Sequence, residues 1–128
     1  MGISVMWRDP REEVLIYALD GAYDHQQLAE AQREARAMLV SNPRPVSILV
    51  DASRLNTHSL LPSVNPRSTS RGEIPVQVIV VVSPERLAPS VMGVFADLYD
   101  RPKHGIYYAE SEKEAELVLF GAKHSLVL

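Results

Sequence analysis

The chain has 128 residues, 46% of them hydrophobic and 23% charged, which is the balance of an ordinary globular protein folding as a single domain, 1–128. Thirteen Lys and Arg against sixteen Asp and Glu leave a formal charge of -3, so nothing draws the whole molecule to phosphate backbones, and nucleic acid is not an expected partner. The absence of cysteine excludes disulfides, thiolate nucleophiles and cysteine-based metal sites, and with no secretory signal pattern in residues 1–7 the expected location is cytoplasmic.

Ile3, Val5 and Trp7 alternate with smaller or more polar residues, and a second extended run follows from Val14 to Leu19, so the chain is predicted to open with a β-hairpin. Asp20-Gly21 supplies turn chemistry. Asp24, with Gln27 three residues on, predicts a helix starting near His25, and Leu28, Ala31, Ala35, Met38 and Leu39 give it one apolar face. Pro43 and Pro45 end it.

Residues 46–50 and 76–82 are aliphatic on both alternating faces, the pattern of strands covered on each side in a parallel or mixed sheet. The second of these runs is the most apolar in the chain and is still far too short to cross a bilayer, so no membrane span is expected. Ser83-Pro84-Glu85 then reads as a helix start, and Val91, Val94, Phe95, Leu98 and Tyr99 form its apolar stripe, ending near Asp100. A short strand over 105–109 follows. Ser111-Glu112-Lys113-Glu114 is a capping box that opens a final helix through Ala115, Leu117, Val118 and Phe120. Residues 56–75, with Pro62, Pro66, Pro75 and many hydroxyls, predict a long irregular loop with at most one helical turn near His58 to Leu61.

The strand 46–50 runs into Asp51-Ala52-Ser53, and the carboxyl end of a central strand is where open sheets covered by helices place their ligand crevices. Two readings of Asp51 and Ser53 stay open. One side chain accepts a backbone amide in the turn that follows, or the pair belongs to a binding site. Catalysis needs a second titratable group in reach, and His58 is the only one near in sequence. His25, His58, His104 and His124 lack the spacing that would put two of them on one helical face toward a metal, and no GxGxxG or Walker-type run is present. Arg67 to Gly72 reads as a polar loop, and Phe95, Tyr99, Tyr107 and Tyr108 as core or a partly exposed patch. No catalytic residue, metal ligand or cofactor site is expected.

The order of elements, together with Leu19-Asp20-Gly21, residues 48–53, residues 76–82, and Tyr107 to Ser111 through Glu114-Ala115-Glu116, resembles the STAS domain, especially its anti-sigma-factor-antagonist-like, STAS/Sec14-like branch. The resemblance implies an α/β fold, a single-domain mixed sheet of four to five strands with helices packed mainly on one side, and a non-enzymatic regulatory or protein-binding role. Phosphorylated members of that family carry an Asp-Ser-Ser-Gly-like run after the strand; here Asn56-Thr57-His58-Ser59 stands in its place, with Thr57 and Ser59 the nearest equivalents. The expected binding surface is Asp51, Ser53, Thr57, His58 and Ser59 with the loop to Pro75. The alternative is a small apolar ligand or lipid held in a crevice between the 56–75 loop and the 84–100 helix, lined by Val91, Phe95 and Tyr99. Tyr107 and Tyr108 must face opposite sides of a late edge strand, and the apolar residues 126–128 close the chain, so a homodimer using that strand, the exposed tyrosine and the tail is expected.

Overall fold

The computed structural model describes residues 2–8, 13–21, 25–42, 45–55, 76–83, 89, 91–93, 95, 99 and 105–124. Along the chain lie β1 (Gly2–Trp7), β2 (Val14–Gly21), α1 (His25–Val40), β3 (Val46–Leu55), β4 (Val76–Val82), a middle helical segment seen at residues 89, 91–93 and 95, β5 (Ile106–Ala109) and α2 (Glu112–His124). The strands form one five-stranded sheet in the order β1-β2-β3-β4-β5. β1 runs antiparallel to β2, and every later pairing is parallel. The result is the α/β mixed sheet that the alternation of strands and helices predicts.

The hairpin is closed by the Arg8 amide donating to the Val14 carbonyl at 2.8 Å. β1 starts at Gly2, whose φ of 120° lies in the region open to glycine, and a Cβ there would stand 2.8 Å from the Gln27 side-chain nitrogen on α1. α1 buries Leu28, Ala31, Ala35 and Leu39 at helical spacing and stops where the Ser41 hydroxyl donates to the Met38 carbonyl at 3.0 Å and the Asn42 amide to Leu39 at 3.2 Å. The Asp24 cap, the Ser83-Pro84-Glu85 helix start, the helix end near Asp100, the 56–75 loop and the closing tail all fall, wholly or in part, outside the described residues.

Winding the parallel strands in sequence moves the chain steadily across the sheet, and crossovers of one hand then place their helices on one face. α1 and the middle segment share that face. Leu28, Ala31, Val91 and Phe95 meet Val5, Leu15, Tyr17, Ile48, Val50, Ile79 and Val81 in the larger core. α2 lies on the other face, where Ala115 and Leu119 cover Leu49, Val78, Val80, Val82 and Ala109. Both faces of residues 48–50 in β3 and 78–82 in β4 are therefore buried, as their unbroken aliphatic runs require.

α2 begins with the predicted cap. The Glu114 amide donates to Ser111 Oγ at 3.1 Å, and the Ala115 amide makes the first helical bond to the Ser111 carbonyl at 2.9 Å. The Glu114 carboxylate reaches back to the amide of Glu110, one residue beyond the usual target, at 3.2 Å. Arg8 pairs with Glu112 at 3.6 Å and also with Glu116, tying the end of β1 to α2.

Two stability measurements check this packing. In urea unfolding, Phe95→Ala is expected to cost about 3–5 kcal/mol because it empties a fully buried aromatic site. Ser111→Ala removes one cap acceptor at an exposed helix end and is expected to cost about 1 kcal/mol.

Candidate functional site

β3 does not end at Val50. It continues to Leu55, so Asp51 is a mid-strand residue, aligned with Ala18 of β2 and Val82 of β4. The strand runs on for a local reason. Ala18 aligns with Asp51 but Asp20 with Arg54, so three steps of β3 are set against two of β2 and the strand bulges at Ala52 and Ser53. A bulge takes an amide out of the ladder. Here the Ser53 amide is recovered by Asp51, whose Oδ1 accepts it at 3.1 Å and also accepts the Ser53 hydroxyl at 2.6 Å. Asp51 therefore accepts a backbone amide two residues on, the first of the two readings its sequence left open, and does so within its own strand.

The bulge also resets which side chains face the core. Ile48, Val50 and Ala52 point into the larger core at spacing two, and Leu55 rejoins it at spacing three. Ser53 and Arg54, between them, are both exposed, with Asp20 exposed opposite Arg54 in the register. Of the expected binding surface, Asp51 and Ser53 are brought together, while Thr57, His58 and Ser59 and the loop to Pro75 lie outside the described residues. Arg54 and Asp20 were not among the expected residues. The signal that finds them is the three-residue gap between Ala52 and Leu55, which breaks strand periodicity.

A second polar feature lies deep in the larger core. The Tyr17 and Tyr99 hydroxyls are hydrogen-bonded to each other, and the Tyr17 ring packs edge-on against Phe95 at 4.9 Å and Tyr99 at 6.2 Å. Tyr17 has no exposed surface. Burial pushes its phenol well above the ordinary tyrosine value, and the nearby Tyr99 and Glu34 act in the same direction. Burial also pushes Tyr99 up to about 12, partly offset by its hydrogen bond with Tyr17. Each hydroxyl satisfies the other, which is how two phenols stay in an otherwise apolar core. Sequence reading places Tyr99 on the apolar stripe but gives no sign of its partner, because β2 and the middle segment meet only through the fold.

Among the described residues, no group of three or more His, Asp or Glu is placed to hold a metal ion, and no helix is long and apolar enough to cross a membrane. Neither a protein-family profile nor a curated protein sequence matches the chain.

Two outcomes follow from these geometries. Asp51→Ala is expected to cost about 1 kcal/mol, the net worth of a hydrogen bond at a partly exposed site, while Asp51→Asn keeps an acceptor and stays near wild type in chemical denaturation. For the phenols the sign follows from folded values raised above the unfolded value of about 10, so their contribution is complete below that pH and is lost as pH rises toward and past 12. Tyrosinate absorbance should show two of the five tyrosines titrating later than an ordinary phenol while the protein stays folded, and Tyr17→Phe with Tyr99→Phe should remove that late phase.

Proposed function

We propose that this chain is a STAS-like regulatory module that binds a protein partner and performs no chemistry of its own. The observation that carries the reading is the topology: an antiparallel leading strand followed by parallel strands laid down in sequence, with α1 and the middle segment together on one face. The recognition surface is assigned to the second half of β3, where Ser53 and Arg54 are exposed near the carboxyl end of a central strand and Asp51 orients Ser53 from mid-strand, and to Thr57, His58 and Ser59 in the segment that follows. Ser53 offers a hydroxyl oriented by Asp51, and Arg54 and Asp20 offer exposed charge of both signs, which suits a polar protein surface better than an apolar ligand. The module is taken to work in the cytoplasm and as a homodimer.

The alternative, a small apolar ligand or lipid against the 84–100 helix, draws on Val91, Phe95 and Tyr99. Val91 and Phe95 are fully buried among core residues, and Tyr99 is engaged with Tyr17, so these side chains already fill the space between sheet and helix. The protein-binding reading is favoured for that reason.

Tagged protein with Ser53→Ala and Arg54→Glu, run beside wild type in pull-downs from the source organism, tests the proposal. The expected result is at least a tenfold loss of a specifically captured partner with unchanged melting. Equal capture by both proteins would move the surface elsewhere, and a stoichiometric small-molecule adduct in native mass spectrometry would favour the pocket.

A further inference from the structure

The sheet has two terminal strands, β1 and β5, and they differ in how open they are to a further strand. β5 has four residues, and shortness is one of the ways sheets discourage added pairing. β1 has six, Gly2-Ile3-Ser4-Val5-Met6-Trp7, without a charge or a proline. It also carries Met6 at 47% exposure. Shortness, charge and proline, which blunt many sheet edges, are absent from β1, and among the described residues no strand pairs with its outer side.

The phase of the β1–β2 ladder fixes which backbone groups are free. Arg8 stands opposite Val14 in the register and donates its amide to the Val14 carbonyl, so Arg8 and Val14 form a hydrogen-bonded pair. In an antiparallel ladder such pairs alternate, so Gly2, Ser4 and Met6 also direct their N–H and C=O groups at β2. Ile3, Val5 and Trp7 direct theirs away from the sheet. That outward set is symmetric about Val5. A second copy laid antiparallel on this edge, with Val5 opposite Val5, sets Ile3 of each copy against Trp7 of the other and pairs every outward group at once.

The side chains agree with that register. Ser4 and Met6 are both exposed and lie on the same face of the strand, and in the pairing the small Ser4 of one copy stands beside the long Met6 of the other. These are the positions between hydrogen-bonded pairs, where opposed side chains approach most closely. No like charges meet, since β1 is uncharged and Arg8 falls opposite Gly2 of the second copy. We infer that β1 is the self-association edge of this protein, joining two copies into one continuous sheet through Ile3, Val5 and Trp7. The inference rests on the homodimer included in the proposed function and assigns its interface to β1 in place of the C-terminal strand.

Light scattering coupled to size exclusion on the full chain, with circular dichroism as the control for folding, tests it. Wild type is expected at twice 14.2 kDa. Ser4→Lys with Met6→Lys sets like charges opposite each other in this register and should shift the mass to that of a monomer. Ser4→Lys with Met6→Glu sets opposite charges together and should restore the dimer, which also shows that lysine at position 4 is tolerated. A wild-type protein that stays monomeric at high concentration overturns self-association itself. A dimer that survives the paired lysines but is lost with Tyr107→Lys overturns the β1 edge and moves the interface to β5.

Discussion

The aliphatic stretches of β3 and β4, residues 48–50 and 78–82, have no polar face, and the rest of the architecture answers to that. Ile48, Val50, Ile79 and Val81 point one way and Leu49, Val78, Val80 and Val82 the other, and all are buried. Leaving either set in water would cost about 1.5–3 kcal/mol for each side chain, more in sum than a domain of this size has to spare. Helices must therefore lie on both sides of the central pair. α1 and the middle segment supply the first cover and α2 the second. The smallness of Ala31, Ala35 and Ala115 at their buried positions brings helix backbones close to the strands.

The two covers are held differently. On the larger side the tyrosine pair adds a directional link within the apolar contact, because Tyr17 belongs to β2 and Tyr99 follows the middle segment, where its amide still closes a helical bond to the Phe95 carbonyl at 3.0 Å. A pair of hydroxyls that satisfy each other selects one docking of that segment, since sliding it would strand both groups in an apolar surround. On the smaller side the link is ionic and nearer to solvent, from Arg8 to Glu112 and Glu116. Screening by water leaves such a pair weak, so α2 depends chiefly on Ala115 and Leu119.

Much of this was legible in residue spacing. The hairpin, the extent of α1, the doubly buried strands and the cap at Ser111 each rest on a local signal, and local signals survive folding where tertiary contacts do not oppose them. The edge position of the last strand, and the exposure of one of its two adjacent tyrosines, also agree with their sequence reading; the structure identifies the exposed one as Tyr107, at 45%. Three features were hidden. β3 runs past Asp51 because a bulge disguises its second half; the partner of Tyr99 lies 82 residues away; and nothing in the sequence of α2 records which face of the sheet it will cover. The first was written in the sequence in an unfamiliar period, whereas the other two belong to topology.

The bulge in β3 has a consequence for comparing this chain with others. Before it, core-facing residues occupy even positions, Ile48, Val50 and Ala52; after it the core takes Leu55, an odd one. The strand thus behaves as two segments of opposite phase spliced at Ser53. A related protein with a straight strand here would keep the same buried pattern with one residue fewer, so the two sequences would superimpose only if a gap were opened immediately after the Asp-Ala pair. Ungapped comparison would match the aliphatic run and its aspartate and then, within this strand, place Leu55 against a surface residue. Sequence likeness centred on this strand would decay at that splice even where the backbones coincide.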